Sequence, residues 1–230
     1  MKGVSAAMRI ARHEWGLILK EPRFLLPFLI APALLIGVQS YALFLGPPGS
    51  PDEILGLART LLLMLSVLAP SLAVPLAADS FAGERERNTL EILLCLPIGM
   101  GTLFWGKVLG ILPLPVLVGW AGQAIMLAIL GSQGLLTAAF APMAVKTLCL
   151  TPLLALFFSA LASLISMRAE SVRGAAQLAG LVMLAMVFTV LALAGPLLTG
   201  TGFFAISAGV LFLGSGACLW LAGRRFLRLH

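Results

Sequence analysis

The sequence predicts an all-α integral membrane protein. It should have six transmembrane helices, an interfacial helix before the first, and a short cytoplasmic helix between the second and third. Three observations predict this. Of 230 residues, 60% are hydrophobic and 10% charged, with mean hydropathy +1.08; a soluble domain carries about 25% charged residues, so lipid must be the solvent for most of this chain. Apolar runs long enough to cross a bilayer alternate with turn chemistry. Lys and Arg gather in every second gap.

The six expected spans are Phe24–Leu45, Ile54–Ala78, Thr102–Leu130, Met143–Ser166, Ala175–Ala194 and Gly202–Ala222. The breaks between them read "GPPGSPD", "GSQG", "MRAESVRG" and "GPLLTGTG". Together they make one membrane domain over 1–230, with no length left for a separate soluble one. The stretch Leu135–Ser166 is too long for one crossing, at 1.5 Å rise per residue against a hydrocarbon core of about 30 Å. Pro142 is the expected break, which leaves 135–142 as a short re-entrant or interfacial piece. The first span starts too late, and runs too long, to be a cleaved signal peptide.

Thirteen of the fifteen Lys and Arg residues lie in the N-terminal segment, the second-to-third loop with the first turns of the span after it (Lys107), the fourth-to-fifth loop and the tail; segments 46–53, 131–134 and 195–201 contain none. The positive-inside rule then places both termini in the cytoplasm, as an even number of spans also requires. The net charge of +6 reads as membrane orientation, with no nucleic-acid partner. The other two basic residues, Arg59 and Lys146, fall inside spans. Each side chain is long enough to snorkel to the outer interface; otherwise each is a candidate for the substrate path or a subunit interface.

Segment 1–23 is a basic amphipathic helix. Val4, Ala7, Met8, Ala11, Trp15, Ile18 and Leu19 share one face, Arg9, Arg12, Gly16 and Lys20 lie opposite, and Pro22 ends it. Such a helix lies in the membrane interface; the alternative is a helix packed on the cytoplasmic side of the protein.

The most informative stretch is Asp79–Pro97, "DSFAGERERNTLEILLCLP". Glu84, Arg85, Glu86 and Arg87 carry the second span out of the membrane. Asn88 or Thr89 then caps a new helix, and Glu91 sits in its first turn, where the helix dipole favours an acid. Leu90, Ile92, Leu93, Leu94 and Leu96 make that two-turn helix apolar nearly all round. It cannot stand alone, so it needs a partner or the membrane surface, and the charges beside it give a protein partner something to read.

"FAGERERNTLEILLCLPIG" followed by Gly106-Lys107 resembles the signature loop of type-2 ABC transporter permeases, the membrane subunits of bacterial ABC exporters. "KEPRFLLPFLIAPALLI" (Lys20–Ile36) resembles that family's elbow entering the first span. Asn88 stands where the family usually has Gly; both accept a left-handed turn. The resemblance implies an elbow helix over 1–23 and a coupling loop over 79–101 whose helix docks on an ATPase. It assigns that docking to Glu84, Arg85, Glu86, Arg87, Thr89, Leu90, Glu91, Leu93 and Leu94. It also implies two copies of a cytoplasmic ABC ATPase, a second copy of this permease or a homologous one, the bilayer as environment, and the bacterial inner membrane as location. Short external loops and few polar groups in the spans favour an amphiphilic or apolar substrate such as a lipid, peptide or drug-like molecule. The alternatives are a haem-exporter-like permease subunit of cytochrome c maturation and a non-transporting scaffold that recruits a soluble partner.

Other motifs fail. "GTLFWGKV" (Gly101–Val108) has the glycine and lysine spacing of a phosphate loop but lacks the Ser or Thr that would hold magnesium. Lys107 reads instead as an anchor at the cytoplasmic membrane surface, and ATP hydrolysis is expected in another chain, not this one. Gly214-Ser215-Gly216 has no histidine in any span to serve as base. Gly106 and Gly110 read as a place where another helix approaches closely. Cys95, Cys149, Cys218, His13 and His230 are scattered and suggest no metal, disulfide or cofactor.

Overall fold

A computed structural model describes residues 2–20, 26, 30, 33–38, 41, 51–87, 99–134, 136, 140–169 and 171–227. All regular structure among them is helical: α1 Lys2–Lys20, α2 Pro51–Leu68, a 3₁₀ turn Ala69–Leu72, α3 Ala73–Glu86, α4 Met100–Ile111, α5 Pro113–Ser132, α6 Ala141–Ser166, α7 Val172–Ala192, α8 Ala194–Thr199 and α9 Thr201–Leu227. Among the described residues, five stretches are long and apolar enough to cross a membrane: Glu53–Glu84, Met100–Ser132, Ala141–Ser166, Val172–Ala192 and Thr201–Phe226. They match the second to sixth expected spans. Of the first, Phe24–Leu45, only residues 26, 30, 33–38 and 41 are described, all helical. The two-turn helix expected at 90–96 lies outside the described residues, as does most of 135–142.

The second span is the central one. It is 78% buried along its most apolar stretch, against 17% for the spans of α7 and α9, whose apolar faces point outward. Pro70 divides it. Lacking an N–H, Pro70 cannot bond back one turn, so the chain tightens into the 3₁₀ turn, and the Ser71 hydroxyl donates to the Leu68 carbonyl. Pro113 similarly separates α4 from α5 at Leu112. Around this axis α6 packs against α2, α3, α7 and α9.

Proline also sits within α6. Pro152 leaves the carbonyl of Leu148, four residues earlier, without its helical donor. Trp120 of α5 supplies one: its indole N–H donates to that oxygen at 3.0 Å. An unmet carbonyl in a bilayer costs several kcal/mol, so this bond lets a broken ladder remain inside the bundle.

Pro142 stands in the first turn of α6, as a break at that residue requires. Segment 195–201, read from sequence as a loop, is different. Ala194–Thr199 forms a short helix with Pro196 near its start and Leu197 buried. One turn of helix satisfies its backbone and turns Leu197 into the core, which an open loop would not do.

Candidate coupling site at the charged end of the bundle

Four helices meet where the charged run begins. Lys107, in α4, was expected at the membrane surface. It is instead 1% exposed, because the seat around it is closed by α1. Its ammonium donates to Glu14 Oε1 of α1 at 3.0 Å, to the Ser80 carbonyl of α3 at 3.0 Å, and to Glu84 Oε1 of α3. Those three bonds use its three N–H groups. Ser80 Oγ bridges further, donating to Glu14 Oε2 at 3.3 Å. A buried ammonium survives only with such pairing, and removing one partner of a buried pair typically costs about 3–5 kcal/mol.

Small residues make this approach possible. A Cβ on Gly106 would lie 2.8 Å from Ile10 Cβ, and one on Gly110 would lie 2.8 Å from Glu14 Cβ. The helix that Gly106 and Gly110 were expected to admit is therefore α1. It packs through Ala7, Ile10, Ala11 and Glu14, while Met8, which shares the apolar face, is 55% exposed. The reason is steric: backbones that approach this closely leave room for alanine and not for methionine.

Beneath Lys107 lies an aromatic floor. Phe81 of α3, Phe104 of α4 and Phe226 of α9 are all buried, with ring centroids 5.8–6.3 Å apart. The Lys107 ammonium is 5.9 Å from the Phe81 ring. A cavity of about 140 Å³ opens beside the ion pairs, lined in part by Glu14, Asp79, Ser80, Glu84, Arg87 and Lys107.

The rest of the charged run is also engaged. Glu86 Oε2 accepts the backbone N–H of Val172 at 3.0 Å, the first residue of α7. A carboxylate there meets a free backbone donor and the positive end of the dipole. Ser171 completes that cap, its hydroxyl accepting from Gly174 N. Arg87 pairs with Asp79 at 2.9 Å and is 64% exposed, so this surface pair contributes little. The backbone of Arg85 is helical; its side chain, and all of Thr89, Leu90, Glu91, Leu93 and Leu94, lie outside the described residues.

Two basic residues lie at the far end. Arg59 is exposed on α2. Lys146 is 8% exposed; its amine donates to the Leu198 carbonyl at 2.7 Å, near the end of α8, and lies 6.0 Å from the Phe204 ring. Midway between the two ends, Gln123 joins three helices. Its amide donates to Ser66 Oγ at 3.0 Å and Thr151 Oγ1 at 2.9 Å, all fully buried.

Sequence reasoning passed over Glu14 and misplaced Lys107. One signal was available: Glu14 is the only acid in α1, and Lys107 is the only base between two glycines spaced for helix contact.

Fold and site together define a multi-pass helical membrane protein whose charged run, at the end of α3, is bonded to neighbouring helices. Residues 8–207 match the family described as "ABC-2 family transporter protein". The chain belongs to that family, which makes it an ABC transporter membrane subunit. It is similar to the "Probable ABC transporter permease protein NosY" of Stutzerimonas stutzeri, 38% identical over 89 residues, which are 37% of this chain and 31% of that protein. The protein of the same description from Pseudomonas aeruginosa is 42% identical over 65 residues, 27% of this chain and 24% of that one. The matched stretches span less than a third of either relative's length.

Proposed function

We propose that this chain is the permease subunit of an ATP-driven ABC exporter in a bacterial inner membrane, with both termini cytoplasmic. Its coupling loop, residues 79–101, receives motion from a separate cytoplasmic ATPase present in two copies. A second copy of the permease, or a homologous one, completes the pathway. Glu84, Arg85, Glu86, Arg87, Thr89, Leu90, Glu91, Leu93 and Leu94 form the coupling region, with the apolar Leu90, Leu93 and Leu94 entering a groove on the ATPase.

The observation that carries this reading is the attachment of the charged run. A loop that only solvated the end of a span would leave its charges in water. Here Glu84 is bonded to α4 and Glu86 to the start of α7, so force applied to the run reaches several spans. The basic residues gathered in alternate segments support the orientation. The substrate is amphiphilic or apolar. In support, the described outward faces of α7 and α9 are apolar, and the interior Gln123 amide spends its donors on Ser66 and Thr151 of neighbouring helices.

The test is purification of the full chain from its own membranes, followed by ATP-binding measurements. The expected result is an ATPase recovered in equal number with the permease, and no ATP binding by the permease alone. Stoichiometric ATP binding by the isolated chain overturns the reading.

A further inference from the structure

We propose that Lys107 is a positioning residue for coupling: it locks the N-terminal helix α1 and the charged run onto α4, so that the three move as one body. This rests on the coupling reading above and extends it to α1, whose expected role was only to lie in the membrane interface. Glu14 and Lys107 are 93 positions apart, and Glu84 and Lys107 are 23 apart; one ammonium holds both carboxylates. On its apolar side the ammonium meets the Phe81 ring at 5.9 Å, which packs in turn on Phe104 and Phe226. The seat also resists sliding of α1. The Ala7 and Ala11 carbonyls would lie 3.1 and 3.2 Å from a Cβ on Gly106 and Gly110, so the two backbones are already in near contact. Pulling α1 from α4 would also strip a buried charge of a partner, a step far costlier than parting a surface pair. The exposed Arg87–Asp79 pair beside it has neither property.

The experiment uses the full permease with its ATPase in lipid nanodiscs, comparing ATP hydrolysis by the complex with that of the ATPase alone. One arm neutralises the link as a set, Lys107→Met with Glu14→Gln and Glu84→Gln, so that no buried charge is left unpaired. This triple variant should still bind the ATPase, yet its stimulation of hydrolysis should be lost. A second arm does not depend on the triple variant folding: Glu14→Ala frees α1 while Lys107 keeps Glu84 and the Ser80 carbonyl, so ATPase binding should be kept and stimulation lost. Full stimulation by the folded triple variant, or by Glu14→Ala, overturns the proposal. If the unaltered permease neither binds nor stimulates the ATPase, the coupling reading itself fails, and this inference with it.

Discussion

Trp120 donates its indole N–H to the carbonyl of Leu148, the oxygen that Pro152 leaves without a helical donor. The relationship predicts a conditional mutation. Trp120→Phe should lower stability in detergent by about 0.5–2 kcal/mol, the range of buried hydrogen bonds between membrane helices. In a Pro152→Ala background, where the backbone N–H gained at that position takes over the carbonyl, the same change should cost much less. Thermal unfolding of the four proteins forms the double-mutant cycle, and equal losses in both backgrounds would show that Trp120 acts through packing alone.

The seat of α1 makes a steric prediction. Gly110→Val places a branched side chain where a single Cβ already meets Glu14 Cβ at 2.8 Å. Overpacking of this kind typically costs about 1–3 kcal/mol. A cysteine at Ala11, which is 7% exposed, should react slowly with a maleimide in the native background and rapidly with Gly110→Val. Unchanged labelling would mean that α1 does not depend on this seat.

These two features mark the limit of what the sequence discloses. Hydropathy located the fourth span at Met143–Ser166, and the structure has Ala141–Ser166; Pro142 signalled its start because proline at a first turn loses nothing. Glycine spacing signalled a close helix contact at Gly106 and Gly110. The identity of the approaching helix, the burial of Lys107 and the inward turn of Glu84 depend on three helices already being assembled, and no local pattern encodes that. The short helix α8 was hidden in the same way: "GPLLT" reads as turn chemistry until Leu197 has a core to enter.

Lys146 fastens α6 to α8 through the Leu198 carbonyl. Lys146→Arg keeps a charged donor and should hold α8 in place; Lys146→Met removes the donor and should release it. A cysteine at Leu197, which is 4% exposed, reports the difference as slow labelling with Lys or Arg and fast labelling with Met. Equally slow labelling in all three proteins would show that packing alone holds α8.

Orientation is tested from the charged run. With basic residues gathered in alternate segments, a cysteine at Asn88 should resist a membrane-impermeant thiol reagent in intact cells and react once the membrane is opened. Reporters fused after Pro48, Ser132 or Leu198 should lie outside. Labelling of the Asn88 position in intact cells would reverse the orientation and remove the coupling loop from any cytoplasmic partner.

The account stands on the claim that the coupling helix within residues 79–101 meets an ATPase, and ATPase association tests this most directly. Leu93→Asp places a charge on the apolar helix, and Glu91→Lys reverses its acid, while Glu170→Lys makes the same reversal in the other interior loop. Each full-length protein is purified with its ATPase, and the recovered ratio is measured beside a thermal-unfolding control. Truncating a docked charge pair costs about 2–5 kcal/mol, whereas a solvated surface change stays within about 0.5 kcal/mol. The account predicts that Leu93→Asp and Glu91→Lys remain folded but lose the ATPase, and that Glu170→Lys retains it. Undiminished ATPase recovery with both coupling-loop variants would contradict it.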